Sequence, residues 1–78
     1  MNQEQFNKWL DEAVPDTYLI FIRLRYTPDE PYELIKEILY YDYELAMWVW
    51  ENDWDEGQKD VTYLGYIALD DIEEYNNF

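Results

Sequence analysis

Asp16-Thr17-Tyr18-Leu19-Ile20-Phe21-Ile22-Arg23-Leu24-Arg25-Tyr26-Thr27 is the stretch that decides the fold. Tyr18, Ile20, Ile22, Leu24 and Tyr26 alternate with Leu19, Phe21, Arg23 and Arg25, and β-branched and aromatic side chains dominate, so the run reads as a strand. Its first half is apolar on both faces and its second half on one. That pattern is expected of a strand that starts under a helix and runs out to a sheet edge.

The helix is found upstream. Phe6, Trp9, Leu10 and Ala13 recur at helical spacing while Gln3, Lys8, Asp11 and Glu12 fall elsewhere, predicting an amphipathic helix over 2–14 with Asn2 as a candidate N-cap. Pro15 biases Val14 away from helical geometry and ends it. Downstream, two readings of residues 30–42 stand. Thr27-Pro28-Asp29-Glu30 has the form of a capping box leading a helix to about Tyr41, with Leu34, Ile35, Ile38 and Leu39 inside. The rival is a loop through Pro28 and Pro31 followed by a strand over about 35–42. The strand is favoured, because Pro31 removes an early helical hydrogen bond and Asp42-Tyr43-Glu44 suits a hairpin into Leu45–Glu51. Met47 and Val49 then alternate with Trp48 and Trp50. An acidic loop over 52–60, turning at Gly57, precedes a last strand over 61–69. There Val61, Tyr63, Gly65 and Ile67 form one face, and Thr62, Leu64, Tyr66 and Ala68 the other, with Gly65 marking a bulge or a close backbone approach. Asp70 or Asp71 can cap a helical turn through Tyr75. The expected fold is a single α+β domain over 1–78, an N-terminal helix packed on a three- to four-stranded antiparallel meander.

Composition narrows the chemistry. Nineteen Asp and Glu against five Lys and Arg give a formal charge of −14, yet four Trp, nine Tyr and three Phe supply enough apolar area for a core. Nucleic acid and anionic lipid repel such a surface, so neither direct nucleic-acid nor membrane binding is expected, and no run approaches the length of a membrane span. The absence of cysteine excludes disulfides and thiolate sites and fits a reducing cytoplasm. With no His, Cys or Ser, the common general base and the usual activated nucleophiles are missing, and no enzymatic activity or cofactor is expected.

Trp50-Glu51-Asn52-Asp53-Trp54-Asp55-Glu56-Gly57-Gln58-Lys59-Asp60 concentrates five carboxylates and two indoles. It is not an EF-hand: with Gly57 as the sixth loop position, Trp54 falls at the third and Tyr63 where the closing Glu is needed. The choice is between a solvated acidic loop and a recognition surface anchored by Trp54, an interface-prone residue type without an evident core role here. Arg23 and Arg25 share one strand face and are expected to pair with carboxylates of a neighbouring strand.

The run 50–58, with Asp60-Val61, Leu64-Gly65-Tyr66-Ile67 and Asp70-Asp71-Ile72, resembles a pattern in small acidic proteins of phages and prophages of Gram-positive bacteria. The likeness covers residues 50–72 and transfers no functional residue. It implies a mobile-element origin and a class that includes DNA mimics and other inhibitors of host defence. On that footing the chain is expected to occupy the basic DNA- or RNA-binding groove of a host protein in the host cytoplasm. A CRISPR effector nuclease, a restriction enzyme, a uracil-DNA glycosylase and a nucleoid protein are candidate targets. Glu51, Asp53, Asp55, Glu56 and Asp60 form the primary carboxylate cluster, Asp70, Asp71, Glu73 and Glu74 the second, and Trp54 the apolar anchor. The alternative is a phage-encoded structural or regulatory module, possible as a homodimer through an exposed strand edge.

Overall fold

A computed structural model describes residues 1–54, 60–69 and 71. Its elements are helix α1 (Gln3–Glu12) and strands β1 (Thr17–Arg25), β2 (Glu33–Asp42), β3 (Met47–Trp50) and β4 (Asp60–Ala68), the strands forming one antiparallel sheet in the order β3-β2-β1-β4. The α+β architecture is the expected one, and residues 33–42 resolve to the strand. The expected turn around Asp70–Tyr75 lies outside the described residues except for Asp71.

Two expectations about the sheet are corrected. The strands are not a simple meander: β1, β2 and β3 follow one another by hairpins, but β4 lies on the far side of β1, the Greek-key arrangement of four antiparallel strands. As a result β1 does not run out to an edge. It pairs with β2 on one side and with β4 on the other along nearly its whole length, which is why its buried residues alternate so strictly. The strand apolar on both faces is the central one.

Each element has a local cause. The side chain of Asn2 accepts a hydrogen bond from the Gln5 amide at 2.8 Å while Gln5 Oε1 accepts from the Asn2 amide at 2.9 Å, a reciprocal cap that satisfies two orphan donors. In the β2–β3 turn, Asp42 Oδ1 accepts from the amides of Glu44 and Leu45, and Ala46 closes the turn in the left-handed region at φ 54°.

The core is one cluster on the helix face of the sheet: Tyr18, Ile20, Ile22 and Leu24 of β1, Leu39 of β2, Tyr63 of β4 and Phe6 of α1. Burying each such side chain stabilises the fold by about 1.5–3 kcal/mol. Tyr63 fastens the helix. Its ring stacks on Phe6 with centroids 3.9 Å apart, its hydroxyl donates to Gln3 Oε1 at 2.6 Å, and its backbone exchanges two hydrogen bonds with Met1. Trp9 sits at the margin of this core, half-buried against Phe6, Tyr18 and Tyr66.

The register of β4 shifts where Phe21 faces Gly65 and Ile22 faces Tyr63, so Leu64 is the extra residue of a bulge. The bulge expected at Gly65 is present, but it breaks the expected alternation. Val61 and Tyr63 share the helix face with Tyr66 and Ala68, while Thr62, Gly65 and Ile67 point the other way.

Candidate functional site

Among the described residues no charged side chain is buried, and a single ion pair is present, Arg25 Nε to Asp60 Oδ2 at 3.2 Å. The pairing expected of Arg25 is therefore found. Asp60 is shared, because the Tyr32 hydroxyl also donates to its Oδ2 at 2.8 Å, and both Arg23 and Arg25 lie over the Tyr32 ring at 4.4 and 4.3 Å. Arg23 departs from expectation: it has no carboxylate partner among the described residues, and its Nε is buried without an acceptor.

The primary cluster begins where β3 ends. The Glu51 amide still donates to Ile38 O of β2 at 2.9 Å, which fixes the start of the segment to the sheet, and the Glu51 and Asp53 side chains stand exposed. Asp60 re-enters the sheet as the first residue of β4, directly opposite Arg25. Asp71 of the second cluster is exposed. Asp55, Glu56, Asp70, Glu73 and Glu74 lie outside the described residues. Further exposed carboxylates not singled out from the sequence surround the fold: Glu4, Asp11 and Glu12 on α1, Asp16 before β1, Asp29 and Glu30 between β1 and β2, and Glu33 at the start of β2. Their signal was the overall charge, which does not distinguish one acid from another.

Trp54 has a core role that its sequence context concealed. It is half-buried, packs against the core cluster, and meets Trp50 and Tyr63 edge-on at 5.1 and 6.3 Å, with its indole nitrogen buried and unpartnered. The indole thus pins the acidic segment to the sheet, and only part of its surface is available to a partner.

The cations are segregated. Arg23 and Arg25 of β1 and Lys36 of β2, opposite Phe21, all project from the sheet face away from the helix. Every other described surface is dominated by acids, with Lys8 on α1 as the exception. A groove of about 290 Å³ lined by Arg25, Tyr26, Glu30, Pro31 and Glu33 lies beside the arginines, at the lower limit of small-molecule pockets. No group of three or more carboxylates among the described residues is placed to hold a metal ion, and no described helix is long and apolar enough to cross a membrane.

The sheet edges bear on strand-edge pairing. On the outer side of β4, Tyr63 is already paired with Met1, and the opposite edge, β3, is four residues long. Tyr18, beneath the helix, donates its hydroxyl to Val14 O at 2.7 Å; burial first, then the Asp16 carboxylate and Tyr66, push its phenol above the ordinary value.

A surface of unpaired acids repels itself. Raising salt from about 20 mM to about 300 mM at pH 7 should therefore raise the thermal midpoint of the isolated protein, by screening repulsion over a Debye length that shrinks toward 6 Å or so. A midpoint that falls with salt would mean that attractive pairs outweigh the repulsion.

Compared with protein-family models, with curated proteins and with solved structures, the chain matches none.

Proposed function

We propose that this protein is a non-enzymatic acidic inhibitor that occupies the basic nucleic-acid-binding groove of a host protein, its carboxylates standing in for phosphates. The observation that carries the reading is the pairing pattern: carboxylates exposed on a strand-anchored scaffold, with a single internal ion pair among the described residues. Carboxylates held without internal partners keep their acceptor capacity for charge-assisted hydrogen bonds to Arg and Lys rows, and the net field steers a basic partner into contact. Anchoring matters because a mimic must offer charge at fixed positions. Trp54 packed on Trp50 and the Glu51 amide bonded to β2 serve that end for Glu51 and Asp53.

The test is competitive capture. The immobilised protein is incubated with lysate of a Gram-positive bacterium, and bound protein is challenged with duplex DNA or with a salt gradient. A mimic's partner leaves when DNA is added and elutes steeply between about 0.1 and 0.5 M salt. A partner that binds DNA and this protein at once, or that stays bound throughout the gradient, would overturn the reading.

A further inference from the structure

We propose that the groove at the β1–β2 connection is a socket for one arginine side chain of the basic partner. The proposal rests on the inhibitor reading for the partner's class and deepens it by naming where a single residue is gripped. One wall is the end of β1, with Arg25 and Tyr26; the other is the returning chain, with Glu30, Pro31 and Glu33, and the space between them is about 290 Å³. That is the bottom of the range for small-molecule sites and suits a side chain better than a larger ligand. Asp60, where the acidic segment re-enters the sheet, stands opposite Arg25.

Charge selects a cation. Arg25, the only cation in the lining, is committed within the protein: its Nε bonds Asp60 Oδ2 at 3.2 Å, a terminal nitrogen donates to Pro28 O at 3.3 Å, and its Cζ lies 4.3 Å from the centre of the Tyr32 ring. Glu30 and Glu33 are exposed, and neither carboxylate has a hydrogen bond or ion pair among the described residues. With Arg25 neutralised by Asp60, the lining keeps the charge of both glutamates, and the neighbouring Asp29 adds to it. A carboxylate or phosphate is repelled there, and a cation is drawn in.

The lining also selects between cations. Tyr26 presents an exposed ring on one wall and Pro31 an apolar ring on the other. A guanidinium stacks flat on an aromatic face while its planar fork presents several donors to the two carboxylates; a lysine ammonium is a compact, strongly hydrated point charge that does neither as well. The same connection already uses this chemistry internally, because the Tyr32 ring takes the Cζ atoms of Arg23 and Arg25 at 4.4 and 4.3 Å.

The socket is held in shape before anything enters it. Pro28 and Pro31 restrict the backbone, the Glu30 amide donates to Thr27 O at 3.2 Å, Arg25 holds Pro28 O, and the Tyr32 hydroxyl is tied to Asp60 at 2.8 Å. Little ordering is left to oppose binding, which is the condition under which one side chain contributes strongly to an interface.

Titration of the ¹⁵N-labelled full chain with N-acetyl-arginine amide, at about 0.05 M salt, tests this by NMR. The amide signals of Tyr26, Glu30 and Glu33 should move and saturate with a Kd of about 1–10 mM, and N-acetyl-lysine amide should bind about 5-fold or more weakly. Glu30→Gln combined with Glu33→Gln removes charge and keeps side-chain size, and no hydrogen bond or ion pair of the described residues uses either carboxylate. The pair should weaken arginine binding about 10-fold or more and leave the rest of the spectrum in place. Shifts that never saturate, or that are matched at Glu4, Asp11 and Glu12 on α1, mean general screening of an acidic surface and overturn the socket. So does binding of lysine as tight as arginine, or binding indifferent to the double substitution. No host protein enters this titration, so its failure overturns the socket alone, whereas failure of the competitive capture overturns the inhibitor reading.

Discussion

Phe6→Ala should cost the domain about 3–5 kcal/mol, enough to leave a large unfolded fraction at 25 °C in a protein of this size. Phe6 is 1% exposed and lies at the centre of an aromatic array: Tyr63 stacks on it at 3.9 Å, Trp9 at 5.6 Å and Trp50 at 6.0 Å. Truncation loses the transfer free energy of the ring, opens a cavity between helix and sheet, and forfeits the stacking on Tyr63. The last loss reaches the rest of the helix anchor, because Gln3 and Met1 are bonded to that same tyrosine. Urea denaturation followed by far-UV circular dichroism measures the effect. Trp9→Ala is the internal comparison, expected to cost less because that indole is only half-buried. A midpoint for Phe6→Ala within error of wild type would show that the helix contributes little to the folded state.

The helix face was legible as a set of residues but not in its ranking. Phe6, Trp9 and Leu10 do face the sheet, yet spacing alone cannot say which of two aromatics one turn apart lies over the centre and which at the margin. β1 was legible because strict alternation survives only where one face is sealed. β2 was ambiguous for a physical reason. Leu34, Ile35, Ile38 and Leu39 fit a helical stripe, and they fit equally a strand carrying apolar residues on both faces, with Ile35 and Leu39 toward the core and Leu34 and Ile38 away from it. The position of β4 beside β1 was not legible at all. β3 ends at Trp50, level with Leu39 and Tyr18, whereas β4 starts at Asp60 opposite Arg25, and the chain between them is long enough to span that distance to either a neighbouring or a distant strand, so length imposes no choice.

The same limit hid the uncovered face. Apolar residues at Leu19 and Phe21, read from one strand, suggest cover from both sides; only the pairing of β1 with β2 and β4 shows that they belong to a continuous apolar surface with no described helix over it. For the candidate site, exposure of Glu51, Asp53, Asp60 and Asp71 agrees with the sequence reading, while the packing of Trp54 does not. An indole in an acidic run resembles an exposed anchor because its partners Trp50 and Tyr63 are recognisable only once β3 and β4 are placed in one sheet.

Converting Glu51, Asp53, Asp55 and Glu56 together to their amides should weaken binding of the captured host partner by about 2–4 kcal/mol, roughly 30- to 1,000-fold, with the loss shrinking as salt rises. The amides keep the size and shape of the side chains and remove only charge. Asp60 is left intact because it is committed to Arg25 and Tyr32, and its loss would confound binding with the register of β4. Trp54→Ala cannot serve the same purpose, since that ring also packs on the core and its removal should lower stability along with affinity. The amide set carries the opposite sign for the fold: relieving repulsion should leave the thermal midpoint unchanged or raise it. Lower affinity with undiminished stability is therefore the signature of carboxylates used for recognition. Affinity equal to wild type at about 0.15 M salt would remove this segment from the mechanism and move the recognition surface to Asp70, Asp71, Glu73 and Glu74, whose amides would then be expected to show the loss.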